Sequence, residues 1–146
     1  MSLYTSPNLI FYTPDAFDNT GAILVDATVS AGFPSPADDF KEQRISLDKE
    51  LIKNKEATFF ARVSGQSMIG AGLDNNDLLV VDRSLEPQHN KIAVCFIDGE
   101  FTVKRLKVEN NCVWLQPENP NYKPIKVTED NDFLIWGIVT SVIKKV

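Results

Sequence analysis

Two side chains in this sequence, Ser67 and Lys104, have the types and surroundings that nucleophilic chemistry requires. Ser67 lies in the stretch SGQSM (64–68), where small residues follow ATFFARV, a run of β-forming residues. A serine on a tight bend can attack a carbonyl group if a base accepts its proton. A turn without any chemistry needs the same small residues, so this stretch alone leaves both interpretations open.

The sequence offers two kinds of base for Ser67. The single histidine, His89, lies in the polar segment EPQHNK, which is typical of an exposed turn. No neighbouring residue marks it as catalytic, and we interpret it as a surface histidine. The alternative is a lysine, because burial in apolar surroundings disfavours the ammonium and lowers the pKa.

Lys104 is the lysine whose position stands out, within the β-forming run EFTVKRL. Strand alternation places it on one face with Thr102 and Leu106, while Arg105 points to the other face. One of the two adjacent basic side chains can therefore be in water while the other turns inward. The pattern also fits a strand lysine that lies along a sheet edge with its ammonium in solvent, so spacing alone does not assign Lys104 a role.

Composition limits the classes of function. The chain has 146 residues, of which 43% are hydrophobic, as expected for one globular domain with its own core. A net charge of -5 without a basic cluster argues against direct binding of duplex DNA. The longest apolar stretch, residues 133–143, is too short to span a membrane, and no secretory signal is visible. Cys95 and Cys112 fit buried free thiols in a reducing cytoplasm better than a zinc site.

The N-terminal part of the chain differs from the rest. Its first 31 residues contain three acidic residues and no lysine or arginine. The apolar pieces LIFY (9–12) and AILV (22–25) could pair as edge strands or lie across another surface, and we interpret this region as an extended arm. The two prolines of GFPSPADD disfavour helix and indicate a linker. Residues 45–54, ISLDKELIKN, have the spacing of a short helix.

From Ala57 onward, short β-branched and aromatic runs alternate with turn residues. The clearest local signal is Asp98-Gly99 between KIAVCFI and EFTVKRL, because an Asp-Gly pair there favours a tight type I′ hairpin. We therefore predict a mainly β fold. Residues 39–146 should form a compact antiparallel β domain with one short helix, and residues 1–38 an N-terminal arm and linker.

Taken together, these motifs resemble the LexA/UmuD family of self-cleaving serine peptidases. The family signature is a Ser-Gly-x-Ser-Met turn with a lysine in a hairpin strand, and here Lys104 of GEFTVKRL follows Ser67 by 37 residues. The segments GFPSPADDFKEQRISL and NDLLVVD look like those of UmuD-type members, and the resemblance extends from about Ala31 to the C-terminus. One departure is Asn76, where a glycine is expected before Asp77; asparagine tolerates left-handed backbone and can keep the turn.

The resemblance implies a specific site without metal or cofactor. Ser67 would be the nucleophile, and Lys104 the general base and then the general acid. The backbone N–H groups of Ser67 and Gln66 would hold the oxyanion. The scissile bond of the family joins alanine or cysteine to glycine, and Ala31-Gly32 matches it, 36 residues before Ser67.

The resemblance also implies partners and a cellular role. Repressors of the family carry an N-terminal helix-turn-helix domain. Here only 30 residues precede Ala31, and none of them is a lysine or arginine. Membrane signal peptidases use similar chemistry but need an anchor. We therefore expect a UmuD-type cytoplasmic protein of the SOS response to DNA damage, cut on stimulation by the RecA filament on single-stranded DNA. The trimmed form would act as a homodimer with a UmuC-like subunit of an error-prone translesion polymerase. The alternative is an interaction or repressor-like module in which cleavage is secondary.

Overall fold

The chain is described by a computed structural model that covers residues 2–5, 9–14, 22–25 and 42–146. It divides into two compact units, one formed by Met1–Pro14 together with Asn54–Val146 and the other by Asp15–Lys53. The larger unit is thus built from two separate segments of the chain. The Ala31-Gly32 bond and the predicted boundary between residues 38 and 39 lie outside the described residues.

The described residues of the smaller unit form a strand pair and a short helix. Strand β3 (Ala22–Val25) pairs antiparallel with β4 (Glu42–Ile45), which confirms that AILV is a strand. Helix α1 (Leu47–Leu51) begins after Ser46, whose side chain accepts a hydrogen bond from the Lys49 N–H as an N-cap. The helix predicted within residues 45–54 is confirmed. No helix among the described residues is both long and apolar enough to cross a membrane.

The larger unit is a single antiparallel sheet, to which nine of the described strands contribute. Their order across the sheet is β1-β2-β5-β6-β11-β7-β8-β9-β10, and this arrangement confirms the predicted mainly β fold. The strand bounds are β1 Ser2–Thr5, β2 Leu9–Tyr12, β5 Thr58–Val63, β6 Leu78–Asp82, β7 Ile92–Ile97, β8 Glu100–Glu109, β9 Cys112–Gln116, β10 Ile125–Lys126 and β11 Phe133–Ile143.

The N-terminal segment supplies part of the hydrophobic core of this sheet. Strand β2 pairs antiparallel with β5, and its side chains alternate between buried and half-buried positions. Leu9 and Phe11 occupy the buried positions, and Phe11 makes edge contacts with the rings of Phe101 and Trp136. The LIFY part of the predicted arm is therefore a strand of the sheet.

The hairpin of β7 and β8 carries the candidate lysine. Asp98 and Gly99 both have positive φ, 49° and 89°, as a type I′ turn requires, so the predicted hairpin is confirmed. The resulting register places Lys104 opposite Ala93 and Thr102 opposite Cys95.

The two cysteines differ in environment. Cys95 is fully buried, and burial raises the pKa of its thiol to about 12, which keeps it neutral. Cys112 is a free thiol as well, but it is only half-buried, because it begins β9 directly after the Asn110-Asn111 turn. The expectation of two buried thiols therefore holds for Cys95 alone.

Candidate active site

The turn that carries Ser67 follows directly from the end of β5 at Val63. Gly65 has a φ of 106°, a left-handed conformation that side chains disfavour, so a glycine is required in SGQSM. Its N–H donates a hydrogen bond to Oδ1 of Asn75 at 3.2 Å. Met68 is 3% exposed and anchors the far end of the turn in the core. Ser67 is therefore held between a flexible glycine and a buried methionine.

A second turn, residues 74–77, lies against the first. The Val63 N–H donates to the Asp77 carbonyl at 2.9 Å, and the Asn76 N–H donates to the Val63 carbonyl at 2.8 Å. Asn76 has a φ of 72°, so it adopts the left-handed backbone expected at this departure from the family pattern. Burial raises the pKa of Asp77, but hydrogen bonds from Lys144 and the Asp74 N–H outweigh this and lower it overall.

Lys104 reaches the SGQSM turn (64–68) from the middle of β8. The residue is only 6% exposed, and its Nζ lies 3.0 Å from Oγ of Ser67. It also lies 2.7 Å from Oγ1 of Thr102 and 3.2 Å from the Val103 carbonyl oxygen. The inward orientation of Lys104, left open by the sequence pattern, is thus the observed one.

The surroundings of Lys104 favour its neutral form. Burial lowers the pKa of Lys104, and the smaller opposing electrostatic effect of Cys95 does not cancel this. No ion pair among the described residues involves Lys104. A neutral amine has two hydrogens and one lone pair, so it can donate to Thr102 and to the Val103 carbonyl while accepting the proton of Ser67. The three contacts therefore suit an amine that acts as a base.

A third segment, the 117–121 loop, fastens the SGQSM turn from the other side. The Glu118 N–H donates to the Ser67 carbonyl at 2.8 Å, and the Gly70 N–H donates back to the Glu118 carbonyl at 2.6 Å. A Cβ at position 70 would lie 2.6 Å from that carbonyl oxygen, so the approach requires glycine. The Glu118 carboxylate also pairs with Arg105, the neighbour of Lys104 on β8.

The 117–121 loop also fixes the direction of one backbone N–H group. Nδ2 of Asn119 donates to the Gln66 carbonyl oxygen at 2.8 Å. Because a trans peptide is planar, its N–H points opposite to its carbonyl, so this contact orients the N–H of Ser67. Within the described residues, the N–H groups of Gln66 and Ser67 donate no hydrogen bond.

These groups line a cavity of about 100 Å³. Its polar lining consists of residues 64–67 with Thr102 and Lys104, and its apolar lining includes Leu9, Leu73 and Met68. Tyr122, nearly half exposed, lies at the rim. The cavity therefore combines a hydroxyl and a buried amine with apolar surface, as ligand-binding clefts generally do.

The structure brings together most of the predicted site residues. Ser67, Gln66 and Lys104 meet in the cavity, whereas Ala31 and Gly32 lie outside the described residues. His89 is exposed, and its Nδ1 accepts a hydrogen bond from the Val108 N–H at 2.9 Å, as expected for a surface turn.

Three contributors to the site were not assigned a role from the sequence. The hydroxyl that contacts Lys104 belongs to Thr102, and Ser64, considered for such a contact, is exposed. The i, i+2 spacing of Thr102 and Lys104 on one strand could have indicated it. Asn119 and Leu9 gave no usable signal, because their contacts join segments far apart in the chain.

Comparison with known proteins identifies the family of the chain. The sequence model of the Peptidase S24-like family matches residues 23–140. The chain belongs to this family. Protein ImpA of Salmonella typhimurium is 46% identical over 117 residues, which are 79% of this chain and 78% of ImpA. Protein MucA of Escherichia coli is 40% identical over 133 residues, 86% of this chain and 90% of MucA.

A repressor is also among the relatives. The LexA repressor of Acidithiobacillus ferrooxidans is 38% identical over 130 residues, which are 87% of this chain but 62% of the repressor. ImpA and MucA, by contrast, are matched over most of their length. The chain is accordingly a UmuD-like member of a family of serine peptidases, as the resemblance predicted.

Burial of Lys104 predicts a characteristic dependence of stability on pH. Because its folded-state pKa is lowered, the unfolded chain binds more protons between that value and 10.5, so stability should rise with pH in this window. In urea unfolding at pH 7, Lys104→Met should raise the free energy of unfolding by about 1–3 kcal/mol, because it removes a buried amine. This gain should shrink as the pH approaches 10.5.

The exposed Lys91 offers a matched control, since Lys91→Met removes the same positive charge from the surface. A gain for Lys104→Met that stays constant with pH, or that Lys91→Met reproduces, would contradict a buried amine with a lowered pKa.

Proposed function

We propose that this protein cleaves its own chain between Ala31 and Gly32, with Ser67 as nucleophile and Lys104 as base. The observation that carries the proposal is the 3.0 Å contact between Nζ of the buried Lys104 and Oγ of Ser67. A serine hydroxyl is a weak nucleophile unless an adjacent base accepts its proton, and the lysine is the base within reach.

The reaction requires one proton to move twice. Neutral Lys104 accepts the Ser67 proton as Oγ attacks the Ala31 carbonyl carbon, and the resulting ammonium then protonates the leaving amine of Gly32. Water hydrolyses the ester that remains on Ser67, again with Lys104 as base. Thr102 and the Val103 carbonyl accept hydrogen bonds from Nζ and hold its lone pair toward Ser67.

The oxyanion of each tetrahedral intermediate would be stabilised by the N–H groups of Ser67 and Gln66. The contact from Asn119 to the Gln66 carbonyl supports this assignment, because it orients the Ser67 N–H before substrate arrives. Preorganised donors of this kind need no rearrangement during the reaction, which is the source of their effect on rate.

Substrate and nucleophile in one chain give the reaction a large effective concentration, so cleavage has to be restrained. Docking of the 31–32 segment and deprotonation of Lys104 are the two steps at which restraint can act. The family relationship supports the RecA filament on single-stranded DNA as the partner that favours the docked state. It also supports a role in SOS mutagenesis, in which the trimmed homodimer serves a UmuC-like translesion polymerase subunit.

A second candidate function is an interaction or repressor-like module in which cleavage is secondary. The observation that favours this second function is the similarity to a LexA repressor over 87% of the chain. The buried lysine argues for cleavage, because a lysine that has no carboxylate partner among the described residues destabilises the fold and contributes little to a binding surface.

The dyad predicts self-cleavage that accelerates with pH and needs no partner. Raising the pH deprotonates Lys104, so incubation at alkaline pH should convert the 16.3 kDa chain into a fragment that begins at Gly32. Ser67→Ala and Lys104→Ala should each slow this by at least about a thousandfold. His89→Ala should cleave at the original rate, which intact mass measured over time can check. Cleavage at this bond by either dyad variant would refute the assignment.

The oxyanion assignment predicts a rate effect from Asn119. Its Oδ1 accepts the Asn121 N–H at 3.0 Å, so Asn119→Asp keeps this turn contact while it removes the donor to Gln66. We expect self-cleavage to slow by about 10- to 100-fold, with the pH midpoint unchanged. Asn121→Ala, in the same loop, is the control. A shift of the midpoint instead of the plateau rate would place the effect on Lys104 rather than on the oxyanion.

The two candidate functions differ in their response to the RecA filament. Incubation with RecA, single-stranded DNA and a nucleotide at neutral pH should produce the Gly32 fragment faster than incubation without the filament. A chain whose intact mass never changes, while it still binds a polymerase subunit, would favour the module in which cleavage is secondary.

A further inference from the structure

We propose that cleavage does not release the N-terminal fragment, because residues 9–12 remain bound in the sheet as a non-covalent strand. The bound fragment is an interaction partner of the trimmed chain, held in a groove between the β5 edge and the rings of Phe101 and Trp136. The inference rests on the proposed cleavage at Ala31-Gly32, although the strand contacts that carry it are independent of that reaction.

Chain topology provides the first step. The larger unit consists of Met1–Pro14 and Asn54–Val146, and Asp15–Lys53, which belongs to the smaller unit, connects them. The Ala31-Gly32 bond lies within that connection. A cut there converts the larger unit from one chain into two chains, which only non-covalent contacts hold together.

Backbone pairing provides the second step. Strand β2 adds to the edge of β5 with four consecutive residue pairs, from Leu9 opposite Val63 to Tyr12 opposite Phe60. Without β2, the outer edge of β5 would present unpaired N–H and C=O groups, which readily bind another extended strand. The segment that is already in place satisfies them.

Side-chain packing provides the third step. Phe11 is 0% exposed, and its ring centroid lies 4.9 Å from that of Phe101 and 4.7 Å from that of Trp136. Leu9 is 1% exposed and belongs to the same core cluster. Departure of the strand would leave an apolar hole lined by aromatic rings, and such cavities are strongly unfavourable.

The bound fragment also matters for the active site. Leu9 lines the cavity that holds Ser67 and Lys104, and Val63, its partner in the ladder, ends the strand that leads into the SGQSM turn. Loss of β2 would open this cavity to water from the side of the core. Retention therefore keeps the environment of Lys104 unchanged after the cut.

The test uses the full chain and an external cut. A recognition sequence for a specific protease is inserted between Ala31 and Gly32 in the Ser67→Ala background, so the outcome does not depend on self-cleavage. After complete cutting and size-exclusion chromatography at about 10 µM, we expect the N-terminal fragment to co-elute with the large fragment, identified by mass. If the N-terminal fragment with an unchanged strand β2 separates fully from the large fragment at this concentration, the proposal is overturned.

Variants in the strand provide the specificity control. Phe11→Ala should weaken retention by about 100-fold, measured by dilution before chromatography, because it empties an aromatic core position. Thr13→Ala, at an exposed position just after β2, should not change it. Phe11→Leu serves as a milder change if the alanine variant does not fold before cutting. Equal retention by the Phe11 and Thr13 variants would also overturn the proposal.

Discussion

The hydrogen bond between Nζ of Lys104 and Oγ of Ser67 is the contact on which the rest of the site depends, and it requires an amine out of water. Lys104 is 6% exposed, and burial lowers its pKa, so the fold carries a side chain that opposes its own stability. The strands around it compensate for that cost with a large apolar core. The chemistry follows from the same burial, because only a neutral lysine can accept the serine proton.

Three segments that are separate in the chain must be in place before this contact can form. The 74–77 turn and the 117–121 loop fasten the SGQSM turn from two sides, and the hairpin of β7 and β8 delivers the lysine. Arg105 links these parts, because it sits next to Lys104 and pairs with Glu118, whose backbone N–H binds the Ser67 carbonyl. Strand register and nucleophile position are thus mechanically coupled.

The sequence predicted those parts of the structure that depend on interactions between neighbouring residues in the chain. The Asp98-Gly99 hairpin, the helix after Ser46 and the β runs all follow from turn chemistry, capping and alternation between neighbours in the chain. Ser67 and Lys104 could be paired only through resemblance, since the strand pattern alone fits both an inward lysine and one at a sheet edge. Asn119 and Leu9 could not be assigned, because each acts on a residue more than 50 positions away and nothing nearby marks it.

In the proposed reaction, the two catalytic side chains are already in contact before substrate arrives, which determines where control can act. Ser67 and Lys104 lie within hydrogen-bonding distance, with the Ser67 N–H already oriented by Asn119, so activation does not need to build the catalytic groups. If the protein cleaves itself as proposed, control would instead act on the protonation of Lys104 or on delivery of the 31–32 segment. Both respond to the same event, because a peptide that enters the cavity displaces water, and dehydration favours the neutral amine. Under the proposed mechanism, docking of the substrate and activation of the base would therefore be one coupled equilibrium, and a partner that favours the docked state would shift both.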